Sequence, residues 1–229
     1  MRAVFFDLDG TLVELPDDFA GLFETALADH DVRADEDCHE HYLEAFFDYL
    51  GECHSDPYRA AMADLRAEFD LGPSAETLAE TYTRREAAAT VLRPGASEAL
   101  DALGAGDSGD TADTVLGVLT NGGARAQHRK LEYHGIADAF DAVVVSGAVG
   151  AAKPDAEIFA AAKEAIPADE YVFVADDLER DVLPAQEAGF MGVYVPEDDR
   201  EAKDASNADE TVESLRAVPD SLGLSVLSG

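Results

Sequence analysis

The stretch FFDLDGTL, residues 5–12, decides the fold of this chain. It continues an apolar run with the composition of a buried strand, and it places Asp7 and Asp9 one residue apart just before Gly10. Residues i and i+2 of an extended chain project to the same side, and glycine permits a tight turn. The stretch therefore predicts a buried strand that delivers two carboxylates to one edge of a sheet.

Similar apolar runs, rich in Val and Phe, recur along the chain and alternate with helix patterns. Short runs of this kind suit strands that are buried on both faces of a parallel sheet. Their alternation with helices implies right-handed βαβ units, and hence a doubly wound, Rossmann-like α/β core. The predicted strands are 2–6, 115–119, 142–145, 171–175 and 192–195, and the predicted helices are 95–103, 124–134, 155–165 and 181–188. We expect surface loops at 104–114 and 201–209 and a last helix at 211–223.

The segment 16–90 differs from the rest because it contains no strand pattern. It predicts helices instead, and Pro57 is suited to a first helical turn. An all-helical block inserted after the first strand of an α/β domain forms a separate small domain. We therefore predict a catalytic core of residues 1–14 and 92–229 and a helical cap of residues 15–91. The predicted cap helices are 17–30, 35–50, 57–69 and 74–89.

The charge balance is strongly acidic, with 49 Asp and Glu residues against 16 Lys and Arg residues and a formal net charge of -33. Such a surface repels nucleic acid and anionic lipid, so neither is expected as a partner. It also repels itself unless salt screens it, to a Debye length of about 3 Å at 1 M. Because the acids are spread along the whole chain, we interpret them as a halophilic adaptation to a salt-filled cytoplasm. No apolar run reaches the roughly 20 residues of a membrane span and no signal pattern opens the chain, so a cytoplasmic protein is expected.

Two cysteines and three histidines lie near one another in the predicted cap. Two cysteines are too few for a disulfide framework. A zinc site is one interpretation of the group, but its spacing matches none of the usual zinc-ligand patterns. Ordinary helical positions against solvent or core are the other interpretation, which the pattern favours. The residues are Cys38, His39, His41, Cys53 and His54.

Four of the predicted strands lead into residues that carry chemistry. In an open α/β sheet, ligands bind at the carboxyl ends of the strands, so these residues gather at one edge. Lysine occurs only four times in the chain, and one of the four stands in this set. The residues are Asp7, Asp9, Thr120, Asn121, Lys153, Asp176 and Asp177.

This set of side chains suits phosphoryl transfer. Clustered aspartates repel one another unless a divalent cation lies between them, and Mg²⁺ prefers a few carboxylates together with waters and phosphate oxygens. An aspartate can itself be the nucleophile, because it is ionised at pH 7 without a base. The Thr120 hydroxyl, Lys153 and backbone N–H groups near Asn121 are suitable donors to phosphoryl oxygens.

Four ordered motifs resemble those of the haloacid dehalogenase (HAD) superfamily: DLDGTL at 7–12, LTNGG at 119–123, KP at 153–154 and VADDLERD at 174–181. The resemblance covers essentially the whole chain, and the helical block looks like the C1-type cap of that family. It implies a hydrolase of the phosphatase branch, similar to phosphoglycolate phosphatases and nucleotidases. Such an enzyme uses Mg²⁺ and a small phosphorylated substrate.

The resemblance also implies how the acids divide the work. Asp7 would attack phosphorus and carry the phosphoryl group as an aspartyl-phosphate. Asp9 would protonate the leaving alkoxide and then deprotonate the hydrolytic water. The side chains of Asp7 and Asp176 and the backbone carbonyl of Asp9 would ligate Mg²⁺.

Phosphate contacts are implied for Thr120, Asn121 and Lys153, with Lys153 neutralising charge around the nucleophile. Asp181 matches a later acidic position of the fourth motif, where an indirect role around the metal is typical. The same motif departs from the family pattern, because a serine is common where Asp177 stands. The role of Asp177 therefore has three alternatives: a direct metal ligand, a water-mediated ligand or a surface acid.

Two other activities share much of this core. A 2-haloacid dehalogenase needs no metal and no acid–base aspartate two residues after the nucleophile, so Asp9, Asp176 and Asp177 disfavour it. A phosphomutase shares the core chemistry but returns the phosphoryl group to a sugar. Residues of the cap decide between a phosphatase and a phosphomutase. A non-catalytic binding module has no support in an intact motif set.

The cap should set the substrate. Aromatic residues such as Phe46, Phe47 and Tyr49 could line its inner surface. Their helical spacing favours positions in the core of the cap instead.

Overall fold

The computed structural model describes residues 1–105, 114–196 and 207–224. Most of the loops predicted at 104–114 and 201–209 therefore lies outside the described residues. Among the described residues, no helix combines the length and the apolarity that crossing a bilayer requires.

The strands form one large sheet and one short pair. Six strands make a parallel sheet in the order β5-β4-β1-β6-β7-β8, and β2 and β3 pair in antiparallel fashion. The predicted α/β fold with a parallel sheet is confirmed. The strands are β1 Arg2–Phe6, β2 Val13–Glu14, β3 Val91–Leu92, β4 Thr114–Thr120, β5 Ala142–Val145, β6 Glu170–Ala175, β7 Met191–Tyr194 and β8 Glu210–Thr211.

The helices follow the predicted pattern in most of the described chain. They are α1 Phe19–Ala28, α2 Glu36–Gly51, α3 Pro57–Glu68, α4 Ala75–Ala89, α5 Ala96–Gly104, α6 Ala124–Tyr133, α7 Ser146–Val149, α8 Ala156–Ala165, α9 Leu183–Glu187 and α10 Val218–Ser221. The helix predicted at 181–188 is preceded by a π-helical turn, Leu178–Val182, so the helical region begins earlier than expected.

The prediction of a last helix at 211–223 is wrong for the first half of that range. Strand β8 and a 3₁₀ turn, Leu215–Ala217, take the place of that half, and only the short α10 follows. Pro219 explains where α10 begins, because proline has no N–H to continue a helix from upstream but fits a first turn. Two-residue strands such as β2, β3 and β8 escaped prediction because they are too short to show a period.

Strand β1 lies in the middle of the sheet and divides its side chains between two cores. Val4 and Phe6 belong to an apolar cluster that includes residues of α5 and α10. Ala3 and Phe5 belong to a second cluster that includes residues of α8 and α9. This alternation buries both faces of β1 under helices, as a doubly wound fold requires.

Helices α1–α4, called the cap segment below, share a third apolar cluster that includes Phe23, Tyr42 and Met62. The carboxylates of Asp18, Asp35 and Asp56 and the Ser74 hydroxyl accept backbone N–H groups at the starts of the four helices. Such caps satisfy N–H groups that a helix leaves unpaired. The β2–β3 pair holds together the two connections between the sheet and the cap segment, because β2 precedes α1 and β3 follows α4.

The cap segment docks on the sheet domain through α4 and α6. Arg129 on α6 pairs with Glu80 on α4 at 2.6 Å, and Arg125 pairs with Glu76 one turn away. Ala126, between the two arginines, belongs to the apolar cluster of the cap segment. This contact brings residues of α4 close to the ends of the parallel strands.

Candidate active site

Asp7 follows β1 directly and lies at the bottom of the site. Its backbone N–H donates to the Val174 carbonyl at 3.0 Å, so the residue is still held by the sheet. Its side chain is buried, and Oδ1 accepts the N–H of Leu8 at 2.8 Å. The nearest cations are the Lys153 ammonium, 2.8 Å from Oδ1, and the Arg180 guanidinium, 3.9 Å from Oδ2.

The surroundings of Asp7 work against its ionisation. Burial raises the pKa of this carboxyl to about 7, the charge of Lys153 opposes the rise, and the nearby Asp181 adds to it. The pKa of Asp7 therefore depends on how much positive charge the site holds. A further cation beside Lys153 would keep the carboxylate in the ionised form that a nucleophile needs.

Lys153 joins two buried carboxylates. Its ammonium lies 2.8 Å from Asp7 Oδ1 and 3.0 Å from Asp181 Oδ1. Burial opposes protonation, but these two carboxylates outweigh it and raise the pKa of Lys153 above its usual range. The residue is therefore a permanent positive charge next to Asp7.

Asn121 fixes the backbone of Lys153. Its side-chain Nδ2 donates to the Lys153 carbonyl at 3.0 Å, and its Oδ1 accepts the Lys153 N–H at 2.9 Å. Both ends of the amide are thus used to position the lysine. The neighbouring Thr120 is buried, and its hydroxyl oxygen accepts a hydrogen bond from Gln127 at 3.1 Å.

Asp176 follows β6 directly and lies opposite the turn that follows β1. The Thr11 hydroxyl donates to Asp176 Oδ1 at 2.6 Å and accepts the Asp176 N–H at 3.0 Å. Gly10 has a φ of 90°, and a Cβ built there would stand 2.3 Å from Asp176 Oδ2. Only glycine lets the turn pass this close to the carboxylate.

Asp7, Asp176 and Asp181 form a group of carboxylates that suits a divalent cation. Their oxygens lie within 4.8 Å of one another, and among the described residues no other set of three His, Cys, Asp or Glu side chains gathers in this way. Hard cations such as Mg²⁺ take oxygen ligands of this kind. Both oxygens of Asp181 contact cations, Lys153 at 3.0 Å and Arg180 at 3.4 Å, whereas Arg180 lies 3.9 Å from Asp7 Oδ2. Asp7 and Asp176 therefore fit the direct positions best, and the donor set is compatible with the ion.

The side chain of Asp9 points away from this group and is held by α6. The Lys130 ammonium lies 2.8 Å from Oδ1, and Gln127 Nε2 donates to Oδ2 at 2.9 Å. The backbone carbonyl of Asp9, and not its side chain, is the metal ligand expected from the sequence. A side chain held by α6 is compatible with that expectation. Lys130 and Gln127 were not predicted, although the scarcity of lysine was a signal that could have found the first of them.

Lys130 also reaches the cap segment. Its buried ammonium lies 3.3 Å from Glu86 Oε1 on α4. Burial opposes its protonation, but Asp9 and then Glu86 outweigh that effect and raise the pKa of Lys130 above its usual range. One protonated lysine thus links an aspartate at the end of β1 to a glutamate of the cap segment.

Asp177 has a local structural role at the edge of the cavity. Its Oδ1 accepts the N–H of Arg180 at 2.9 Å and so caps the π-helical turn. Its Oδ2 lies 3.6 Å from the Arg180 guanidinium, and the side chain is 37% exposed. Arg180, which we did not single out, lies between Asp177, Asp7 and Asp181 and faces the cavity.

The Cys and His residues of the cap segment do not gather into a metal site. They are absent from the carboxylate group, which is the one such set in the described part of the chain. Cys38 is buried in the first turns of α2, and the His39 ring packs on Phe23 at a centroid distance of 5.1 Å. Cys38, His39 and His41 are helical positions of α2, whereas Cys53 and His54 lie in the turn between α2 and α3.

A cavity of about 1010 Å³ lies between the strand ends and the cap segment. Asp7, Asp9 and Lys153 line its floor, and the aromatic rings of the cap segment line its wall. Phe46 and Phe47 are among the wall residues, whereas Tyr49 is not and donates its hydroxyl to Asp64 at 2.9 Å instead. The volume is at the upper end of what small-molecule sites enclose.

The fold and the site together define a hydrolase of the α/β class, with a carboxylate-rich cavity at the carboxyl ends of parallel strands. The chain belongs to the haloacid dehalogenase-like hydrolase family, whose model matches residues 1–189.

Individual relatives extend this result. The chain is 33% identical over 108 residues to a glyceraldehyde 3-phosphate phosphatase of Methanocaldococcus jannaschii, a match that covers 46% of this chain and 47% of the relative. It is also 36% identical over 105 residues to a phosphoserine phosphatase of Thermus thermophilus. This match covers 45% of this chain and 42% of the relative. The chain thus spans about half the length of these relatives.

A solved structure supports the fold over almost the whole chain. A 2-haloacid dehalogenase from Pseudomonas syringae pv. Tomato superposes with a TM-score of 0.71 over 97% of this chain and 98% of its own, at 23% identity. Sequence identity at this level shows that the two chains share a fold. The activity of this chain must be inferred from the residues of its own site.

Proposed function

We propose that the chain is a Mg²⁺-dependent phosphatase that hydrolyses small phosphorylated metabolites through an aspartyl-phosphate on Asp7. The observation that carries the proposal is the placement of two unlike aspartates at the end of β1. Asp7 lies buried among carboxylates beside Lys153, whereas Asp9 points into the same cavity from the other side, held by Lys130. A metal-independent dehalogenase would have no use for the second carboxylate.

The first step forms the covalent intermediate. A carboxylate oxygen of Asp7 attacks phosphorus, and the bond between phosphorus and the ester oxygen breaks. Asp9, in its protonated form, gives its proton to the departing alkoxide, which leaves as the alcohol. Lys153 and Arg180 lie near the Asp7 oxygens, where they offset negative charge on the phosphoryl group.

The second step returns the enzyme to its starting state. Asp9, now a carboxylate, removes a proton from a water molecule as that water attacks phosphorus. The bond between phosphorus and Asp7 breaks, inorganic phosphate leaves, and both aspartates regain their original protonation states. The net reaction consumes one water and one phosphate monoester and yields an alcohol and phosphate.

The carboxylates of Asp7 and Asp176 and the carbonyl of Asp9 would hold Mg²⁺, which when bound supplies positive charge to the phosphate and to Asp7. The Thr120 hydroxyl and the backbone N–H groups near Asn121 are proposed as further phosphate contacts. Asp181, which contacts Lys153 and Arg180, is proposed to orient these two cations. Relatives named as phosphatases of small metabolites support the substrate class.

A metal-dependence assay tests the proposal. Hydrolysis of 4-nitrophenyl phosphate should require added Mg²⁺, disappear with a chelator and return when Mg²⁺ is restored. The same protein should release no chloride from 2-chloropropionate. Metal-independent chloride release would favour the dehalogenase, and transfer of the phosphoryl group to a sugar instead of water would favour the phosphomutase.

A further inference from the structure

We propose that the leaving group of the substrate carries a hydrogen-bond donor, an ammonium or a hydroxyl, and that Glu86 of the cap segment accepts it. This inference rests on the proposed function, because it names the class of phosphate ester that the same cavity takes.

Glu86 is a buried carboxylate with one oxygen unused. The residue is 4% exposed and lines the cavity wall. Its Oε1 accepts the Tyr58 hydroxyl at 3.1 Å and lies 3.3 Å from the Lys130 ammonium. Its Oε2 is also buried but has no hydrogen-bond partner among the described residues. Leaving a buried acceptor without a donor is costly, so a ligand that supplies one gains affinity.

The charge around Glu86 selects a donor. Lys130 contacts Oε1 of Glu86 and leaves Oε2 without a donor in the described part of the chain. An ammonium or a hydroxyl on the substrate would donate to Oε2, and a carboxylate would be repelled by it.

Aromatic rings beside Glu86 strengthen the case for a small organic group. The rings of Tyr58 and Tyr82 lie 6.0 Å apart, and those of Tyr42 and Tyr82 lie 5.4 Å apart. All three tyrosines line the cavity, and the buried Tyr42 hydroxyl likewise lacks a partner in the described chain. Aromatic faces next to a carboxylate attract ammonium groups and accommodate short alkyl chains.

The position of Lys130 sets the length of the leaving group. Because its ammonium contacts Asp9 at 2.8 Å and Glu86 at 3.3 Å, these carboxylates lie within two hydrogen-bond lengths of each other. Asp9 is proposed to protonate the ester oxygen, so a short leaving group, with about three carbons between this oxygen and its donor, is of the right size to contact both carboxylates.

A matched panel of three-carbon phosphate esters tests the inference on the unaltered protein with Mg²⁺. The panel consists of propyl, 3-hydroxypropyl, 3-aminopropyl and 2-carboxyethyl phosphate. We expect at least one donor ester to exceed propyl phosphate in kcat/KM by about tenfold or more, the size expected for a hydrogen bond to a charged group. The carboxylate ester should be the poorest of the four. The relative rates of the amine and the hydroxyl tell which donor the site takes.

Glu86→Gln assigns the preference to this residue. The glutamine keeps the shape and one acceptor oxygen but removes the charge, so the advantage of the amine over propyl phosphate should fall to within about threefold. The ratio is informative even if the variant is slower on every ester. Glu80→Gln is the matched control, because Glu80 lies on the same helix outside the cavity and should leave the ratio unchanged.

Two failures are distinguishable. A protein that hydrolyses 4-nitrophenyl phosphate but shows no donor preference, or prefers the carboxylate ester, overturns this inference and leaves the proposed function intact. A protein that hydrolyses neither the panel nor 4-nitrophenyl phosphate overturns the proposed function itself. The wild-type panel decides the matter even if Glu86→Gln does not fold.

Discussion

The floor and the wall of the cavity are assembled in different ways. The floor consists of residues near the carboxyl ends of the strands, Asp7, Lys153 and Asp176, and the Lys153–Asp7 contact in it is short and buried. The wall consists of helical residues of the cap segment, such as Glu86 and Tyr42, and it keeps buried polar atoms without partners among the described residues. In the floor Lys153 is paired with Asp7, whereas in the wall Glu86 Oε2 and the Tyr42 hydroxyl have no partner among the described residues.

This difference separates two tasks. A floor whose charged groups are held in place by buried contacts can perform the same chemistry on any phosphate ester, since the phosphoryl group is common to all of them. A wall with unpaired acceptors discriminates, because each acceptor favours substrates that satisfy it. Changes in the floor should therefore lower every rate, and changes in the wall should alter the ratios between substrates.

The largest expected effect is in the floor. Asp7→Asn removes the nucleophile but keeps the shape of the side chain, so kcat for 4-nitrophenyl phosphate should fall by at least about 10⁴-fold. Asp35→Asn is the matched control: this residue caps α2 and does not line the cavity, so the change should alter kcat by less than about threefold. Substantial turnover by a correctly folded Asp7→Asn protein would remove Asp7 from the mechanism.

A smaller effect is expected where floor and wall meet. Lys130→Met leaves Asp9 and Glu86 without their shared cation, which should cost about 3 kcal/mol in the free energy of unfolding. It should also lower kcat by about 100-fold on an alkyl phosphate and much less on 4-nitrophenyl phosphate. Poor leaving groups need the proton of Asp9, and Lys130 holds the Asp9 carboxylate in place.

Arg129→Met, one residue earlier on α6, controls for the loss of a cation. Arg129 pairs with the half-exposed Glu80, so its replacement should cost less than about 1 kcal/mol and leave the leaving-group dependence unchanged. Equal losses on the alkyl and aryl esters in Lys130→Met would mean that the lysine supports only the fold.

The same contrast explains how far the sequence could be interpreted. Asp7, Lys153 and Asp176 were predicted to converge because parallel strands end at one edge, a rule that needs no knowledge of packing. Lys130 and Glu86 occupy ordinary helical positions, and they meet only because α4 packs on α6. No local pattern encodes such a contact between distant segments.

Two signals in the sequence were nevertheless available. Lysine is scarce, and each lysine in the described residues is engaged: Lys130 and Lys153 in buried ion pairs, and Lys163 with the Ala188 carbonyl at 2.5 Å. The spacing of Asp177 and Arg180 is that of a helix cap, which could have identified the structural role of this aspartate. Both signals are properties of the sequence, and neither requires knowledge of how the helices pack.

A modest effect is expected at the turn beneath the floor. Gly10→Ala would place a Cβ 2.3 Å from Asp176 Oδ2 and force a side chain into a φ of 90°. The variant should lose about tenfold in kcat and about 2 kcal/mol in the free energy of unfolding. Gly135→Ala also has a positive φ, 67°, but no atom within 4 Å, so it should show the backbone cost of about 1 kcal/mol without the loss in kcat. Equal kcat values in the two variants would show that the Gly10–Asp176 approach is not needed.

The smallest effect on the chemistry is expected from salt, although its effect on stability should be large. With a net charge of -33, the proposed halophilic surface repels itself until salt shortens the Debye length from about 10 Å at 0.1 M to about 3 Å at 1 M. The melting temperature should therefore rise by about 10 °C or more between 0.1 and 2 M KCl. The Lys153–Asp7 pair is buried and poorly screened, so kcat of the folded protein should change by less than about threefold. Sucrose at matched osmolarity strengthens apolar burial without screening charge, and a melting temperature that rose equally in sucrose, or not at all in KCl, would contradict charge repulsion as the cause.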